Sequence, residues 1–496
     1  MHPCFRVVPS VFVLVLTVLF TAVAGDAGPS DRIFFVPIDL GTLGGANVSF
    51  STPAAVNVSG QVVGLSLMPQ DRFRAFSWTP AGGMINLGTL GGTYSDAMAV
   101  NDMGQVVGES FTPGDVEAHA FSWTQAEGMI DLGTLGGWFS QAVAVNDVGQ
   151  VVGTSFPTDS NLEFHAFSWT RAGGMVDLGT LGGLRSEARA VNASGQVVGY
   201  SATAGDIETH AFSWTQAEGM IDLGTLGGSQ SYAYAVNTSG QVVGSSTTIG
   251  NRAIHAFSWT RAGGMVDLGT LPGGNLSSAV AVNDRGQVAG NSDIGNGPAG
   301  HAFLWTPEDG MVDLGTLSGQ TYSSATAMNS SGQVVGYSRF SDHAFSWTRA
   351  GGMVDLGTLG GGFSLAVAVN YGGQVAGYSS TATEYHAVLW RPIKDFGCRK
   401  TLAGCDLKGV NLAGAYLNGS DLSGSNLKDT NLARSTLTGA NLMGANLKGA
   451  NLARANLIGA KLAEANVRNV VWSGTLCPDG TNSDVNGGTC EGHLRR

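Results

Sequence analysis

Charged residues are scarce in this sequence. They make up 12% of its 496 residues, and only 25 are lysine or arginine. Residues 25–397 carry 13 basic and 30 acidic side chains, a net charge of −17. A surface of this kind repels phosphates, so nucleic acid is not expected as a partner. The hydrophobic content of 43% is ordinary, which excludes a disordered chain.

Long apolar runs are equally rare, and the one candidate lies at the start of the chain. Arg6 precedes an unbroken apolar stretch over residues 11–20, and small residues at 22–24 offer a cleavage site. This arrangement predicts a removable export signal over residues 1–24, with an uncleaved anchor as the alternative. No cysteine directly follows the stretch, which argues against a lipid anchor, and no later segment could span a membrane. We therefore expect a secreted, extracellular or cell-envelope protein.

Cysteine is also sparse, with five residues, of which four remain once the signal is removed. An even number in an exported chain suggests two disulfides, although three connectivities are possible. The pairing of neighbours is favoured, Cys477 with Cys490 and Cys398 with Cys405. The alternative for Cys405 is a buried position without a bond.

Glycine, by contrast, is abundant at 75 residues, and it punctuates a repeat. The phrase HAFSWTRAGGMVDLGTL occurs unchanged from His165, His255 and His343. One tryptophan marks each copy of the repeat at a spacing of 42 to 46 residues, which gives eight units. These tryptophans are Trp78, Trp123, Trp169, Trp214, Trp259, Trp305, Trp347 and Trp390.

Each unit predicts four short antiparallel strands, the arrangement of a β-propeller blade. In the third strand the bulky residues His165, Phe167 and Trp169 share one face, whereas Ala166 and Ser168 share the other. Stacked blades need one bulky and one small face in order to interdigitate.

The two ends of this array complement each other. Residues 33–40 resemble a fourth strand without its first three, and the last unit ends soon after Trp390. The first strand could therefore complete the last blade. We predict an all-β fold with an eight-bladed propeller-like array over residues 25–397, and an open β-array is the alternative.

A second repeat, with a period of five, begins near residue 400. A small residue usually stands two positions before each leucine, and the residue between them is often Asn or Asp. This period fits a square coil with one pentad per side and the leucines inside, and fifteen pentads are enough to bury a core. We predict a β-helix over residues 398–475 and a disulfide-closed cap over residues 476–496. The leucines are Leu402, Leu407, Leu412, Leu417, Leu422, Leu427, Leu432, Leu437, Leu442, Leu447, Leu452, Leu457 and Leu462, and Val467 and Trp472 keep the register.

The first array resembles the HAF-type extracellular repeat family, which is named for the motif that begins here at His119. The resemblance covers residues 33–390 and implies export and repetition but no chemistry. The units depart from the pattern at Arg74, which replaces His, at Asn86, which replaces Asp, and in the phrase HAVLW at His386.

The second array resembles the pentapeptide-repeat family through GANLMGANLKGANLARANL at residues 439–457. That resemblance implies a right-handed quadrilateral β-helix. Some members of the family mimic DNA and bind topoisomerases. Residues 398–470 carry nine basic and four acidic side chains, a net of +5, which argues against such mimicry.

Seven histidines recur at one repeat position. A ring of metal ligands is one interpretation, but one His per blade leaves the ligands too far apart to share a metal. We favour a structural role, in which His119 forms a hydrogen bond with Thr134 on the neighbouring strand. The histidines are His119, His165, His210, His255, His301, His343 and His386.

Seven aspartates recur in the same way, at the end of the fourth strand. They could line a channel and attract a cation, although turn capping is the favoured role. The sequons at Asn57, Asn192, Asn237 and Asn329 are likewise explained by turn chemistry. The aspartates are Asp39, Asp131, Asp177, Asp222, Asp267, Asp313 and Asp355.

No catalytic motif stands outside the repeat, because nearly identical units supply the same groups again and again. We therefore predict a protein that is not an enzyme and that uses no metal or other cofactor. The alternative is a propeller-type glycosidase or lyase, with loop acids such as Glu109, Glu117, Glu163 and Glu187 as candidates.

Variation concentrates in two loops of each unit, the one before the histidine and the one after GTLGG. In a four-stranded meander both loops emerge on the same rim, which the sequence predicts to display exposed aromatic side chains. We predict a monomeric scaffold that binds an unknown protein or glycan through this rim, and a purely structural envelope element is a further alternative. The proposed binding residues are Tyr94, Trp138, Phe139, Tyr322 and Phe363.

Overall fold

The computed structural model describes residues 35–44, 50–70, 72–159, 162–295, 299–317, 320–339, 343–381, 383–396 and 401–494. The predicted export signal and Cys398 lie outside these residues. The described residues form strands and a few one-turn 3-10 helices, so the predicted all-β fold is confirmed. None of their helices is both long and apolar enough to cross a membrane.

The strands of the first array follow the predicted pattern of four per unit. Unit 1 comprises β2–β5, and each later unit comprises the next four strands, as far as unit 8, which supplies three. In chain order they are β1 Phe35–Gly41, β2 Ser51–Val56, β3 Val62–Met68, β4 Arg72–Thr79, β5 Gly83–Asn86, β6 Ser95–Val100, β7 Val106–Phe111, β8 Ala118–Thr124, β9 Gly128–Asp131, β10 Ser140–Val145, β11 Val151–Ser155, β12 His165–Thr170, β13 Gly174–Asp177, β14 Gly182–Val191, β15 Val197–Thr203, β16 Thr209–Thr215, β17 Gly219–Asp222, β18 Gly227–Val236, β19 Val242–Thr248, β20 Ile254–Thr260, β21 Gly264–Asp267, β22 Ser277–Val282, β23 Val288–Asp293, β24 Gly300–Thr306, β25 Gly310–Asp313, β26 Tyr322–Met328, β27 Val334–Arg339, β28 His343–Thr348, β29 Gly352–Asp355, β30 Ser364–Val369, β31 Val375–Ser380 and β32 Tyr385–Pro392.

Within each unit the strands pair antiparallel in chain order. Units 4 and 5 are joined into one eight-stranded sheet by a parallel bridge between Thr209 and Gln230. The last sheet has the order β1-β32-β31-β30, so the N-terminal strand supplies the fourth strand of unit 8.

The core of the array lies between neighbouring units. There the bulky face of the third strand of one unit packs against the small face of the third strand of the unit before it. Phe167 of unit 3, for example, packs against Ala120 and Val107 of unit 2, and all three are buried. Removing such a ring costs about 3–5 kcal/mol. Gly153 makes close approach possible within the sheet, because a Cβ there would lie 1.9 Å from the backbone oxygen of Gln141.

Eight buried asparagines link neighbouring units through their turns. Asn57 donates its side-chain amide to the backbone oxygen of Asn101 in the next unit at 3.1 Å, and each equivalent asparagine repeats the bond. Asn370 of unit 8 donates to the backbone oxygen of Asn57 at 2.9 Å, so the series returns to its first member. Because Asn57 and its equivalents are buried and bonded, the sequons are turn elements, as predicted.

The second array is a coil with a pitch of 20 residues. Parallel bridges join residues 20 apart, such as Asn431 with Asn451, so four pentads complete one turn of the coil. The leucines from Leu407 to Leu457 are buried, and asparagine side chains stack between coils, with Asn451 donating to Asn431 at 3.3 Å. Backbone groups also pair between coils, as where the N–H of Leu432 donates to the oxygen of Asn451 at 2.7 Å.

The coil docks on the outer edge of β1. The backbone N–H of Asp39 donates to Gly414 at 3.0 Å, and that of Tyr416 donates to Pro37 at 2.8 Å. Ile38 is consequently 3% exposed, whereas Ile85, at the equivalent position of unit 1, is 42% exposed. One hydrophobic cluster therefore runs from the strands around β1 into the leucines of the coil.

The C-terminal cap contains a disulfide between Cys477 and Cys490, both buried. Cys405 is also disulfide-bonded, and the partner that the sequence predicts for it, Cys398, lies outside the described residues.

Candidate binding rim

The two variable loops of each unit meet at one end of the array, here called the rim. In unit 2 the carboxylate of Asp115, before the histidine, accepts hydrogen bonds from the backbone N–H and the hydroxyl of Thr93 at 2.7 and 2.8 Å. The same contact recurs in unit 4, where Asp206 accepts from the backbone N–H of Leu184. Side chains thus tie together the two loops that vary most.

The aromatic residues of the rim are half-buried, not exposed as the sequence predicts. Each of them packs on a ring from the second strand or the loop after it. Tyr94 lies 5.3 Å from Phe111, and Trp138 lies 5.1 Å from Phe156. The expectation of exposure was wrong because these aromatics flank the first and second strands, where they pair across the sheet. Phe139, Tyr322 and Phe363 make the same kind of contact, with Phe156, Tyr337 and Tyr378 respectively.

A pocket of about 510 Å³ opens on the rim between units 5, 6 and 7. Tyr322 lines it together with the partly exposed aliphatic residues Ile254 and Leu276. Ser278 supplies a hydroxyl, and Asn291 on the adjacent strand lines the pocket while its amide bonds the backbone of Ala325. The pocket therefore combines an aromatic face, aliphatic walls and a few polar groups, as ligand sites usually do.

The structure also reveals a variable position that sequence reasoning missed. The residue after each VVG or VAG phrase pairs across strands with the residue that follows the repeated serine of the first strand. The signal was present in the sequence, because this residue differs between units while its neighbours hardly change. The cross-strand pairs are Thr52–Leu65, Asp96–Glu109, Gln141–Thr154, Glu187–Tyr200, Tyr232–Ser245, Ser278–Asn291, Ser324–Tyr337 and Leu365–Tyr378.

Unit 2 places two carboxyls in one such pair. Burial, together with the charge of Asp96, raises the pKa of Glu109 to about 7, although a hydrogen bond with Gln141 opposes the shift. Burial also raises the pKa of Asp96 to about 6, although hydrogen bonds from the Ala97 backbone and the Tyr94 hydroxyl oppose the shift. Carboxyls with raised pKa values are typical of proton-transfer sites, and also of buried pairs without catalytic function.

The acids that the sequence offers as catalytic candidates occupy two kinds of position. Glu109 and Glu187 are strand residues, so their prediction as loop acids was wrong. Glu187 forms an ion pair with Arg189 at 3.0 Å. Glu117 and Glu163 do lie in loops, 3.4 and 3.9 Å from the histidines that follow them.

The repeated histidines bond aspartate, not threonine as predicted. His119 Nδ1 lies 2.9 Å from the carboxylate of Asp131, whereas the Thr134 hydroxyl donates to the Gly137 oxygen. The register explains the error, because the fourth strand ends at Asp131 and this carboxylate reaches back to the imidazole. The same bond, at 2.7–2.9 Å, joins His165 to Asp177, His210 to Asp222, His255 to Asp267, His301 to Asp313, His343 to Asp355 and His386 to Asp39.

The same aspartates cap the following turn, as the sequence predicts. The backbone N–H of Gly133 donates to Asp131 at 2.7 Å. In unit 1, Arg74 replaces the histidine and Asn86 replaces the aspartate, so both partners of the pair are absent from this unit. Within the described residues no group of three or more His, Cys, Asp or Glu side chains could hold a metal ion.

Comparison with known proteins bears mainly on the coil. Residues 402–439 and 440–471 match the family model for pentapeptide repeats, in eight copies. The solved pentapeptide repeat protein Rfr23 from the cyanobacterium Cyanothece 51142 is 41% identical, over 14% of this chain and 48% of that one, with a TM-score of 0.14. HetL, a pentapeptide repeat protein involved in heterocyst differentiation regulation in Nostoc sp. strain PCC 7120, is 35% identical over 16% and 39%, with a TM-score of 0.12. Residues 402–471 are therefore pentapeptide repeats, as predicted.

The first array has a looser likeness. The β-propeller domain of the Trilobed protease from Pyrococcus furiosus is 10% identical over 63% of this chain and 96% of that one, with a TM-score of 0.42. No curated protein matches the chain. The chain spans less than half the length of Rfr23 and of HetL.

Proposed function

We propose that the protein is an exported, non-catalytic scaffold that binds a protein or glycan through the rim of a closed, eight-bladed HAF-type propeller. The pentapeptide coil, a right-handed quadrilateral β-helix, extends this scaffold. The pairing of β1 with β32 and the bond from Asn370 back to Asn57 support closure. Identical bonds in every unit are expected of a ring, because an open array would leave its end units different.

Closure has a direct test in the asparagine bonds. Asn370→Ala at the seam should cost as much unfolding free energy as Asn192→Ala inside the array, on the order of 1–3 kcal/mol each. A seam variant that costs nothing, while the interior variant is destabilising, contradicts a closed ring.

The rim pocket carries the binding proposal. Tyr322, Ile254 and Leu276 offer apolar surface beside the polar Ser278 and Asn291, a composition that suits a sugar ring or a short peptide segment. The loops around it vary from unit to unit, so each unit presents different groups on a shared framework. Aliphatic side chains exposed at the tips of the loops before the histidines, such as Val116 and Ile207, enlarge the contact surface.

The experiment is a binding screen of the mature chain against surface polysaccharides and surface proteins. Tyr322→Ala should weaken binding at least tenfold, whereas Tyr371→Ala, which removes an exposed tyrosine from the turn at the opposite strand end, should leave it unchanged. Equal binding by both variants overturns the rim proposal. Export is tested separately: an abundant soluble cytoplasmic pool with residues 1–24 intact contradicts it.

A second candidate function, a glycosidase, rests on Asp96 and Glu109. Cross-strand partners of this kind hold their Cβ atoms about 5 Å apart, and a raised pKa suits a general acid. Hydrolysis of a bound glycan that is abolished by Glu109→Gln would support this function. Binding without turnover at pH 5–7 would favour the scaffold.

A further inference from the structure

A cleft of about 840 Å³ lies where the coil meets the first array. One wall belongs to β1, unit 1 and the start of β32, and the other belongs to the coil. Unlike the positions inside the repeats, this cleft occurs once, so it can gather groups that the repeat itself never brings together.

The array wall carries two carboxylates held by one imidazole. His386 Nδ1 lies 2.9 Å from Asp39, and its Nε2 lies 3.0 Å from Glu384. Trp78 lines the cleft nearby and is buried, whereas the equivalent Trp123 of unit 2 is only partly buried. Each carboxylate retains oxygen lone pairs that can accept hydrogen bonds from a ligand.

The coil wall carries two guanidinium groups, Arg434 and Arg454, on consecutive coils. The backbone N–H of Arg434 donates to Ala453 at 2.9 Å, so the two side chains leave the coil about 5 Å apart. Both are exposed, and neither has a hydrogen-bond or ion-pair partner among the described residues. Like charges this close repel each other, and an anion between them relieves the repulsion.

Stacked amides lie beside the guanidinium groups. Asn431 donates to Asn411 at 3.1 Å, and both side chains line the cleft. The lining therefore has cationic donors and amides on one side and carboxylate acceptors on the other. A ligand that satisfies both walls needs an anionic group and several hydroxyl donors within a short distance.

We propose that this cleft binds an acidic oligosaccharide, with a uronate carboxylate on Arg434 and Arg454 and sugar hydroxyls on Asp39 and Glu384. A sugar ring supplies both chemistries on one rigid unit, and the volume suits two or three rings. A guanidinium pair engages a carboxylate more strongly than separated ammonium groups do. The site is separate from the rim and does not depend on the rim proposal.

His386 is not poised to act as the base for elimination from a bound uronate. Elimination from a uronate requires an unprotonated base, and both nitrogens of His386 are already engaged by carboxylates. Burial lowers the pKa of His386, but the hydrogen bonds to Asp39 and Glu384 outweigh burial and raise it above its ordinary value, which disfavours the unprotonated imidazole.

The test is calorimetric titration of the mature full-length chain with trigalacturonate at low ionic strength. Galactotriose, the neutral probe, should bind at least tenfold more weakly than trigalacturonate. The double substitution Arg434→Gln and Arg454→Gln should weaken trigalacturonate binding at least tenfold. The matched control is Lys448→Gln with Arg468→Gln, which removes two exposed cations, also one coil apart, from another side of the coil; it should leave the affinity within twofold.

Three outcomes would overturn the proposal. They are equal binding of the neutral trisaccharide, equal losses in the two double variants, and equally tight binding of a triglutamate peptide. Thermal unfolding of each variant shows that a loss of affinity is not a loss of fold. Tyr371→Ala, which replaces an exposed tyrosine outside both the cleft and the rim pocket, should leave trigalacturonate binding unchanged.

Discussion

The two repeat arrays of this protein hold themselves together over different distances along the chain. In the first array the final contacts join residues 313 and 347 positions apart, Asn370 with Asn57 and His386 with Asp39. In the coil, bonds between coils such as that of Asn451 with Asn431 span 20 positions. Local unfolding should therefore spread through the first array, whereas in the coil it should stay near the site of the substitution.

The arrays also differ in where their sequences vary. The coil repeats leucines and small residues inside and varies mainly on its outer surface. The first array varies at the rim and at one cross-strand position in every unit, such as Asp96–Glu109. Functional side chains that differ from unit to unit can therefore lie within the sheets of the first array, whereas in the coil they lie on the outer surface.

The largest effect is expected at β1, which belongs to both regions. Ile38→Asp places a charge at a site that is 3% exposed, and it should cost at least about 4 kcal/mol of unfolding free energy. Ile85→Asp changes the same repeat position at a site that is 42% exposed and should cost less than about 1 kcal/mol. Urea unfolding of both variants measures the difference, and equal costs would contradict docking of the coil on β1.

A cavity in the coil should be the next largest effect. Leu437→Ala removes a buried side chain and should cost about 3 kcal/mol. Hydrogen exchange should show faster opening near residues 417–457 while the first array stays protected. Met443→Ala, at an exposed position of the coil, is the control. Loss of protection in both arrays together would show that they unfold as one unit.

Replacement of a buried acid should stabilise the protein, and only at high pH. The pKa of Glu109 is about 7 in the folded state, above its ordinary value of 4.5. Deprotonation of this carboxyl therefore destabilises the folded state. The penalty is absent below pH 4.5 and complete above pH 7. Glu109→Gln should thus add about 2 kcal/mol at pH 8 and nothing at pH 4.

Chemical unfolding at the two pH values measures this effect. Glu117→Gln, which replaces a half-exposed loop acid, should change little at either pH. A gain of the same size at pH 4 would mean that the carboxyl is not the cause.

The smallest effect is expected at the histidine–aspartate pairs. The hydrogen bond that His165 donates to Asp177 raises the pKa of His165. Its stabilisation is therefore complete below the ordinary value of 6.5 and is lost as pH rises through the folded-state value. His165→Gln should cost less than about 1 kcal/mol at pH 5.5, because the partner is partly exposed and solvent screens the pair. The cost should shrink by pH 8.5 in the same unfolding assay. If His165→Gln costs as much at pH 8.5 as at pH 5.5, the loss of stability comes from packing and not from the hydrogen bond to Asp177.

Much of this architecture follows from periodicity alone. The tryptophan spacing predicts the four-stranded units, the leucine spacing predicts the coil, and the resemblance of residues 33–40 to a fourth strand predicts the pairing of β1 with β32. The partner of each histidine could not be derived, because a pairing register must be known to within one residue before a side-chain bond can be assigned.

The candidate sites were less accessible to sequence reasoning. An aromatic residue in a variable loop does not reveal whether it faces solvent or another ring, as Tyr94 and Phe111 show. The cleft was out of reach for a different reason. Asp39 and Arg434 are 395 positions apart, and only the docking of the coil brings their walls together.

Because of its place in the fold, β1 keeps unpaired edges until the later parts of the chain have folded. This strand is synthesised before the rest of the array, yet both of its edges wait for residues near 390 and 415. Closing a loop of 347 residues costs about 5 kcal/mol of chain entropy, against about 3 kcal/mol for one 20-residue coil, so β1 is expected to join late. A chain that stops short of the coil would leave Ile38 and an unpaired strand edge exposed, a feature that marks unfinished molecules for aggregation or degradation.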